Sequence, residues 1–192
     1  MKPLLFILLF QIVSFASGDN SKLPFQELPK LQNISTKAER KIPIEYRKLI
    51  VTECLKYNIP LEIFVKHIYR ESKFNPNAIN YNYRRDEITG EVYLASRDEG
   101  IGQFNSLYHK EAVELDNNGK EFNPMNPYEA IPVIAHRLYR INKITNNWVI
   151  TIAEYNCGLT RALKCNFPEV TKKHLAYVFG ENYGEIITQR KT

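Results

Sequence analysis

The stretch HIYRESKFNPNA at residues 67–78 decides how the rest of the chain is interpreted. The apolar residues that lead into it recur at the spacing of one face of a helix: Leu61, Phe64, Val65, Ile68 and Tyr69. Because the residue before a proline is biased away from helical geometry, Pro76 predicts that this helix ends by Asn75. Glu71 is therefore expected in the last helical turn, beside the apolar face that points into the core.

A carboxylate at the end of this helix has chemical consequences. The C-terminal end of a helix carries partial negative charge, which disfavours a second negative charge, and partial burial raises the pKa of a carboxylic acid. A Glu71 that stays protonated near neutral pH can donate a proton, as a general acid must. The alternative is a solvated glutamate at a frayed helix end, which is the commoner situation for such a residue taken alone.

The remainder of the chain predicts a mainly α fold with a small β component. Helical periodicity indicates further helices over 45–57, 107–115, 127–144, 148–155 and 170–179. Alternating apolar residues around Thr89 and Gly90 predict a small β-hairpin inside the polar segment 79–97. The sequence shows no internal repeat and no low-complexity block.

The predicted organisation has four parts, beginning with a secretory signal peptide over residues 1–18. Residues 19–41 are expected to form a linker or a poorly ordered arm, in which Asn33 begins a glycosylation pattern. One domain is expected over 42–184, followed by a tail at 185–192. No other apolar run reaches the roughly twenty residues that a membrane-spanning helix needs. These features predict an exported protein of the periplasm or cell-wall space.

Charge, cysteine and histidine content narrow the expected partners. The formal net charge of +5 favours anionic partners, but the basic residues are scattered, so nucleic acid is not expected. The three cysteines are an odd number for an exported chain, and which of them pair stays open: Cys54, Cys157 and Cys165. His67 and Glu71 are one helical turn apart, as metal ligands can be, but no third ligand is near them in the sequence. We therefore expect neither a metal site nor a cofactor.

Three further stretches carry side chains suited to binding or chemistry. SRDEGIGQFN at residues 96–105 has two glycines that allow close backbone approach, the amide of Gln103 and a second carboxylate at Asp98. IAEYNCG at 152–158 ends a predicted helix with a phenol and an amide, although an ordinary helix stop explains it equally well. Pro168 and the later pair Tyr177-Val178 form the third, where Tyr177 is more often a core residue than a catalytic one.

Taken together and in order, these stretches resemble the successive motifs of the soluble lytic transglycosylases. The matching positions are Glu71-Ser72-x-Phe74-Asn75-Pro76-x-Ala78, Gly100-Ile101-x-Gln103, Ala153-x-Tyr155-Asn156-x-Gly158, and Pro168 with Thr171 and Tyr177-Val178. The resemblance covers about residues 45–177. It implies a lysozyme-like, mainly helical domain with the hairpin next to the active-site cleft.

The resemblance also implies a reaction, the non-hydrolytic cleavage of the MurNAc–GlcNAc β-1,4 bond of peptidoglycan to 1,6-anhydro-MurNAc ends. Glu71 would protonate the leaving oxygen and then deprotonate the muramyl 6-hydroxyl. The implied substrate-binding residues are Ser72, Gln103, Tyr155, Asn156 and Tyr177. Peptidoglycan strands are the implied partner, a monomer is expected, and a flagellum or secretion apparatus is a compatible larger partner.

The chain departs from the usual family pattern at several places. Gly102 stands where the family commonly has methionine, which is expected to remove a side chain from the cleft. Glu154 stands where a small residue is usual, and it is expected either near the site or on the outer face of its helix. The hairpin is expected to cover or extend the cleft.

Asp98 is the departure that bears on mechanism, because animal-type lysozymes are similar here and use an aspartate as their second catalytic carboxylate. A carboxylate about 5 Å from Glu71 would allow hydrolysis with retention. The alternatives are therefore a hydrolytic muramidase that uses Glu71 and Asp98, or a non-catalytic module for glycan binding or assembly.

Overall fold

The helix that carries Glu71 forms as the sequence predicts and ends in a left-handed turn. The computed structural model describes residues 42–188. Helix α1 spans Ile44–Tyr57 and α2 spans Leu61–Ser72, each following a proline. Lys73 caps α2 with φ 56° and donates its backbone N–H to the Tyr69 carbonyl. The expectation that α2 ends by Asn75 is confirmed.

The predicted signal peptide, arm and Asn33 lie outside the described residues, as does the predicted tail from residue 189 onward. Within the described residues, no helix is both long and apolar enough to cross a membrane. Cys54, Cys157 and Cys165 are all free thiols, which excludes a disulfide between them in this structure.

A three-stranded antiparallel sheet in the order β1-β2-β3 follows α2. Strand β1 spans Ile79–Arg85, β2 spans Val92–Glu99 and β3 spans Phe104–Asn105. Asp98 of β2 lies opposite Asn80 of β1 and Asn105 of β3. The hairpin predicted around Gly90 is confirmed, but its strands are longer than expected and fill most of the segment that appeared merely polar.

The remaining helices complete a mainly helical domain. They are α3 at His109–Glu111, α4 at Pro127–Thr145, α5 at Trp148–Cys157, α6 at Leu159–Leu163, α7 at Glu169–Phe179 and α8 at Tyr183–Thr188. A single helix was expected over 107–115, but α3 instead continues into a π-helical turn at Ala112–Asp116. The short helices α6 and α8 were not predicted, because five or six residues are too few for a periodic pattern.

The core lies where α4 packs against α1 and α5, and α7 packs against α2 and α5. Fully buried side chains from these helices form one apolar cluster, which includes Ile50, Phe64, Ile68, Ile134, Leu138, Ile152 and Leu175. The buried face of α2 also carries His67, one turn before Glu71. The fold thus brings the end of α2 to the junction of the helices and the sheet, at the head of a cleft.

Candidate active site

Glu71 lines a cleft of about 1050 Å³. Side chains from α2, from all three strands and from α4, α5 and α7 form its walls. Of the residues expected to act there, the structure brings five to the cleft, namely Glu71, Asp98, Gln103, Tyr155 and Asn156, and it does not bring Ser72 or Tyr177. The side chain of Glu71 is only 14% exposed, so it is not a solvated residue at a frayed helix end.

The pKa of the Glu71 carboxyl is raised to about 7, chiefly because burial removes water from the ionised form. Asn156 donates from Nδ2 to Glu71 Oε1 at 3.1 Å and opposes this shift. The positive charges of Arg70 and Arg137 also lower the pKa of this carboxyl, and the negative charge of Asp98 raises it. Near neutral pH the group is therefore present in both its protonated and its ionised form.

Two buried histidines lie behind Glu71. His67 Nδ1 and His174 Nε2 are 3.1 Å apart, and Glu71 Oε1 lies 3.6 Å from His174 Nδ1 and 3.8 Å from His67 Nδ1. Burial lowers the pKa of His67 well below its ordinary value, and that of His174 to about 3. Both imidazoles are consequently neutral at neutral pH. They surround Glu71 without supplying a positive charge that would keep it ionised.

The same three side chains are the group within the described residues whose ligand atoms could hold a metal ion. One ligand atom from each side chain lies within 4.8 Å of the other two. No third ligand stands near His67 and Glu71 in the sequence, and the fold brings one to them from a distant helix. His174 comes from α7, 107 positions after His67 in the sequence, and its place follows from the packing of α7 on α2.

Asp98 is held across the cleft by three asparagine amides. Asn80 and Asn82 donate to Oδ2 at 3.2 and 2.9 Å, and Asn105 donates to Oδ1 at 2.6 Å. The sheet register explains this, because Asn80 and Asn105 are the direct partners of Asp98 on either side. Hydrogen bonds to both oxygens fix the carboxylate in place.

The loop between β2 and β3 is tied to the helices through its main-chain oxygens. Ser72 donates its hydroxyl to the Ile101 carbonyl at 2.8 Å, and Tyr155 donates to the Gly102 carbonyl at 2.8 Å. Gln103 donates from Nε2 to the Gly100 carbonyl at 2.9 Å and to the Ala78 carbonyl at 3.2 Å. The predicted site residues Ser72, Tyr155 and Gln103 thus all hold this loop in position.

At two positions of this loop, close contacts leave little room for any residue other than glycine. Gly100 has φ +74°, and a Cβ there would lie 1.8 Å from the Pro124 carbonyl oxygen. A Cβ at Gly102 would lie 2.7 Å from Ile134 Cδ1 and 2.9 Å from Phe104. Position 102 therefore faces the core. The expectation that glycine at position 102 removes a side chain from the cleft was wrong, because a side chain there would meet Ile134 and Phe104.

Glu154 is buried and ion-paired at the cleft wall. Arg137 NH2 contacts Glu154 Oε1 at 3.1 Å, and Arg137 Nε contacts Oε2 at 3.4 Å. The Arg137 guanidinium also lies 4.5 Å from the centre of the Tyr155 ring, a cation–π contact. Of the two expectations for Glu154, the place near the site is correct, but its charge is matched by an arginine that the motif reading overlooked.

Tyr177 lies on α7 and is 40% exposed. Its ring stacks on that of Tyr69, with the centroids 6.0 Å apart and the planes at 19°. It lines a second depression together with Lys172, Lys173 and other residues of α7 and the segment after it. Its role in substrate binding remains a prediction.

A mainly helical domain with a small sheet beside a cleft, and with one buried glutamate of raised pKa in that cleft, defines a lysozyme-like protein. The family model described as "Transglycosylase SLT domain" matches residues 48–175, which is more than half of the chain. The chain belongs to this family, and its substrate class is peptidoglycan. A comparison with curated proteins found no match.

Sequence reasoning missed His174, Arg137 and the three asparagines around Asp98. His174 had a detectable signal, because Thr171, His174, Leu175 and Val178 recur at helical spacing and form the buried face of α7. The asparagines had no such signal, since their convergence depends on the register of three strands. In the sequence, Arg137 is only one of several residues at helical spacing in the predicted helix 127–144.

Proposed function

We propose that the chain is a lytic transglycosylase that cleaves the MurNAc–GlcNAc β-1,4 bond of peptidoglycan and leaves 1,6-anhydro-MurNAc ends. The observation that carries the proposal is the environment of Glu71, whose pKa is raised to about 7 by burial in a cleft. A single group that first gives and then takes a proton works best when its pKa is near the working pH. Membership of the transglycosylase SLT family supports the same reaction.

In the proposed first step, protonated Glu71 donates its proton to the glycosidic oxygen and the bond to the leaving sugar breaks. In the second step, ionised Glu71 takes the proton of the muramyl 6-hydroxyl, and that oxygen closes the anhydro ring. Glu71 is protonated again at the end, so the cycle needs no water and no cofactor.

The other cleft residues have supporting roles in this proposal. Asn156 and Gln103 contact sugar or acetamide groups, and Asn156 also stabilises ionised Glu71 through its hydrogen bond. Tyr155 and Ser72 act through the loop, because their hydroxyls are donated to its carbonyls. A role for Tyr177 would require the glycan to extend beyond the main cleft.

A hydrolytic muramidase is the second candidate, and the position of Asp98 favours it. This carboxylate lines the cleft with Glu71, and its charge raises the pKa of Glu71. A second carboxylate of this kind is what retaining hydrolysis uses for charge stabilisation or covalent attack. The two candidates differ in whether the 6-hydroxyl or water ends the reaction.

Mass analysis of the fragments released from purified peptidoglycan separates the candidates. A transglycosylase leaves anhydro ends that are lighter by one water than the reducing ends left by hydrolysis. Exclusive formation of reducing ends would refute the transglycosylase. A non-catalytic module would hold glycan and release no fragments.

Two substitutions on the same helix test the proton donor. Glu71→Gln should abolish cleavage, because an amide cannot transfer the proton. Glu62→Gln removes a carboxylate that is half-exposed and pairs with Lys66, so it should leave cleavage intact. Turnover that survives in Glu71→Gln would exclude Glu71 as the acid.

The proposed reaction also sets the compartment, since its substrate lies outside the cytoplasmic membrane. We therefore propose action in the periplasm or cell-wall space, as the pattern at residues 1–18 led us to expect. A monomer remains the expected oligomeric state. A flagellum or secretion apparatus that must pass the wall remains a compatible partner.

A further inference from the structure

We propose that His67, Glu71 and His174 form a Zn²⁺ site, and that occupancy of this site switches off the catalytic acid. The effect on activity rests on the proposed function, whereas the binding of the ion does not. Neither histidine is among the motif positions that the chain shares with the family.

The donor set fits zinc better than the other common divalent cations. Two imidazoles and one carboxylate are ligands that Zn²⁺ accepts readily, whereas Mg²⁺ and Ca²⁺ prefer oxygen ligands alone. His67 and Glu71 are one turn apart on α2, and His174 approaches from α7. The ligands therefore come from two helices that pack directly against each other, which fixes their relative positions.

The distances are close to those of a bound ion. Bonds of about 2.0–2.2 Å in a tetrahedral zinc site place neighbouring ligand atoms roughly 3.3–3.5 Å apart. The separations of Glu71 Oε1 from His174 Nδ1 and from His67 Nδ1 are 3.6 and 3.8 Å. The third pair of ligand atoms lies within 4.8 Å, so the imidazole rings must also rotate to bring all three atoms onto one ion, and this rotation gives up the 3.1 Å contact between His67 Nδ1 and His174 Nε2.

Access and charge set the strength of the site. Glu71 and His174 line the cleft, so an ion can enter from solvent and keep its fourth position open to water. Arg137 is already paired with Glu154, but the positive charge of Arg70 also acts on Glu71 and opposes a dication. In addition, His67 Nε2 has no hydrogen-bond partner that would orient the ring as a ligand. We expect a reversible site of modest affinity rather than a permanent structural one.

Occupancy would inhibit because the zinc ion takes the lone pairs that Glu71 needs for proton transfer. The direct test measures binding to the metal-free full chain by calorimetry with ZnCl₂. The expected result is one Zn²⁺ per chain, with the affinity reduced more than about tenfold in His174→Ala and in Glu71→Gln. Even the loss of a group that only hydrogen-bonds to a metal ligand costs about 10- to 100-fold.

His109→Ala is the matched control, because His109 lies outside the site in contact with Glu121 on the surface. Its affinity for zinc should equal that of the unsubstituted chain. Equal affinity in His174→Ala, or loss in His109→Ala alone, would overturn the proposal. Co²⁺ bound to the unsubstituted chain gives a second readout that needs no variant to fold: a tetrahedral visible spectrum supports the site, and an octahedral one refutes it.

Cleavage of peptidoglycan with ZnCl₂, followed by addition of a chelator, tests the consequence. Inhibition that the chelator reverses is expected, and full activity at saturating zinc would refute the switch. If zinc binds at His174 but the chain never cleaves peptidoglycan, the proposed function fails and the metal site stands. If the chain cleaves peptidoglycan but binds no zinc, the reverse holds.

Discussion

The amide of Asn156 donates a hydrogen bond to the carboxylate of Glu71, with 3.1 Å between Nδ2 and Oε1. Burial raises the pKa of Glu71, and this hydrogen bond lowers it, so the two effects oppose each other on one group. Asn156 belongs to α5 and Glu71 to α2, 85 positions apart in the sequence. The balance between them therefore depends on how the two helices pack.

This balance predicts the pH dependence of cleavage. Because Glu71 must be protonated to begin the reaction, the rate should fall as the pH rises through its pKa of about 7. Asn156→Ala removes a bond that favours the ionised form, so the alkaline limb should move upward by about one pH unit. Initial rates of fragment release over a window of roughly four pH units centred on this pKa measure the shift. Asn77→Ala, in an exposed turn, should leave the limb in place.

Asp98→Asn should move the same limb in the opposite direction. The negative charge of Asp98 raises the pKa of Glu71, so its removal should lower the pH at which the rate declines. A transglycosylase with one catalytic acid should keep much of its activity, whereas a hydrolase of the lysozyme type should lose about a hundredfold or more. Melting curves are the necessary control, since at least one of the three asparagine amides around Asp98 loses its acceptor.

Gly100→Ala should destabilise the domain much more than Gly119→Ala. Both glycines have φ +74°, so the alanine pays a similar backbone cost of about 1–2 kcal/mol at each. Only at Gly100 would the new Cβ collide with the Pro124 carbonyl, whereas at Gly119 nothing lies within 4 Å. Urea unfolding of the two variants measures the difference, and equal free energies of unfolding would contradict the contact.

Gly102→Met, which restores the common family residue, should also destabilise the domain. Its side chain would enter space that Ile134 and Phe104 occupy, and overpacking of a core typically costs about 1–3 kcal/mol. Together with Ile134→Ala, the two changes should cost less than the sum of their separate effects, because the second makes room for the first. A gain in stability from Gly102→Met alone would show that this position faces the cleft after all.

Glu154→Ala should be costly, since it leaves the Arg137 charge without its partner. The side chains of this pair are 23% and 9% exposed, and removal of one member of a buried pair costs about 3–5 kcal/mol. Glu169→Ala breaks the exposed pair with Lys172 and should cost less than about 1 kcal/mol. The comparison of the two free energies of unfolding isolates the effect of burial.

The sequence was informative wherever local pattern determines structure. The helical spacing before Glu71 and the proline after it predicted α2, and the order of the motifs predicted the family and the mainly helical fold. The raised pKa of Glu71 also followed from local reasoning, because burial of the α2 face and the helix end both point to it. These features depend on residues that are near one another in the chain.

The surroundings of the acid could not be obtained in this way. His174 reaches Glu71 through the packing of α7 on α2, and the amides reach Asp98 through the register of three strands. The direction of position 102 is likewise set by tertiary structure, which is why the pattern suggested a cleft residue and the structure has a core contact. The motifs therefore predict which functional side chains are present, whereas their contacts are determined by tertiary packing.

The hydroxyls of Ser72 and Tyr155 hold the loop by its peptide carbonyls and not by its side chains. A peptide carbonyl is present whichever residue stands at that position, so substitutions at 101 or 102 leave both acceptors in place. At positions 101 and 102, substitution is therefore limited by core packing, whereas loss of either hydroxyl removes a hydrogen bond that holds the loop. This separation explains how a chain can carry an unusual Gly-Ile-Gly-Gln sequence and still keep the loop beside its catalytic acid.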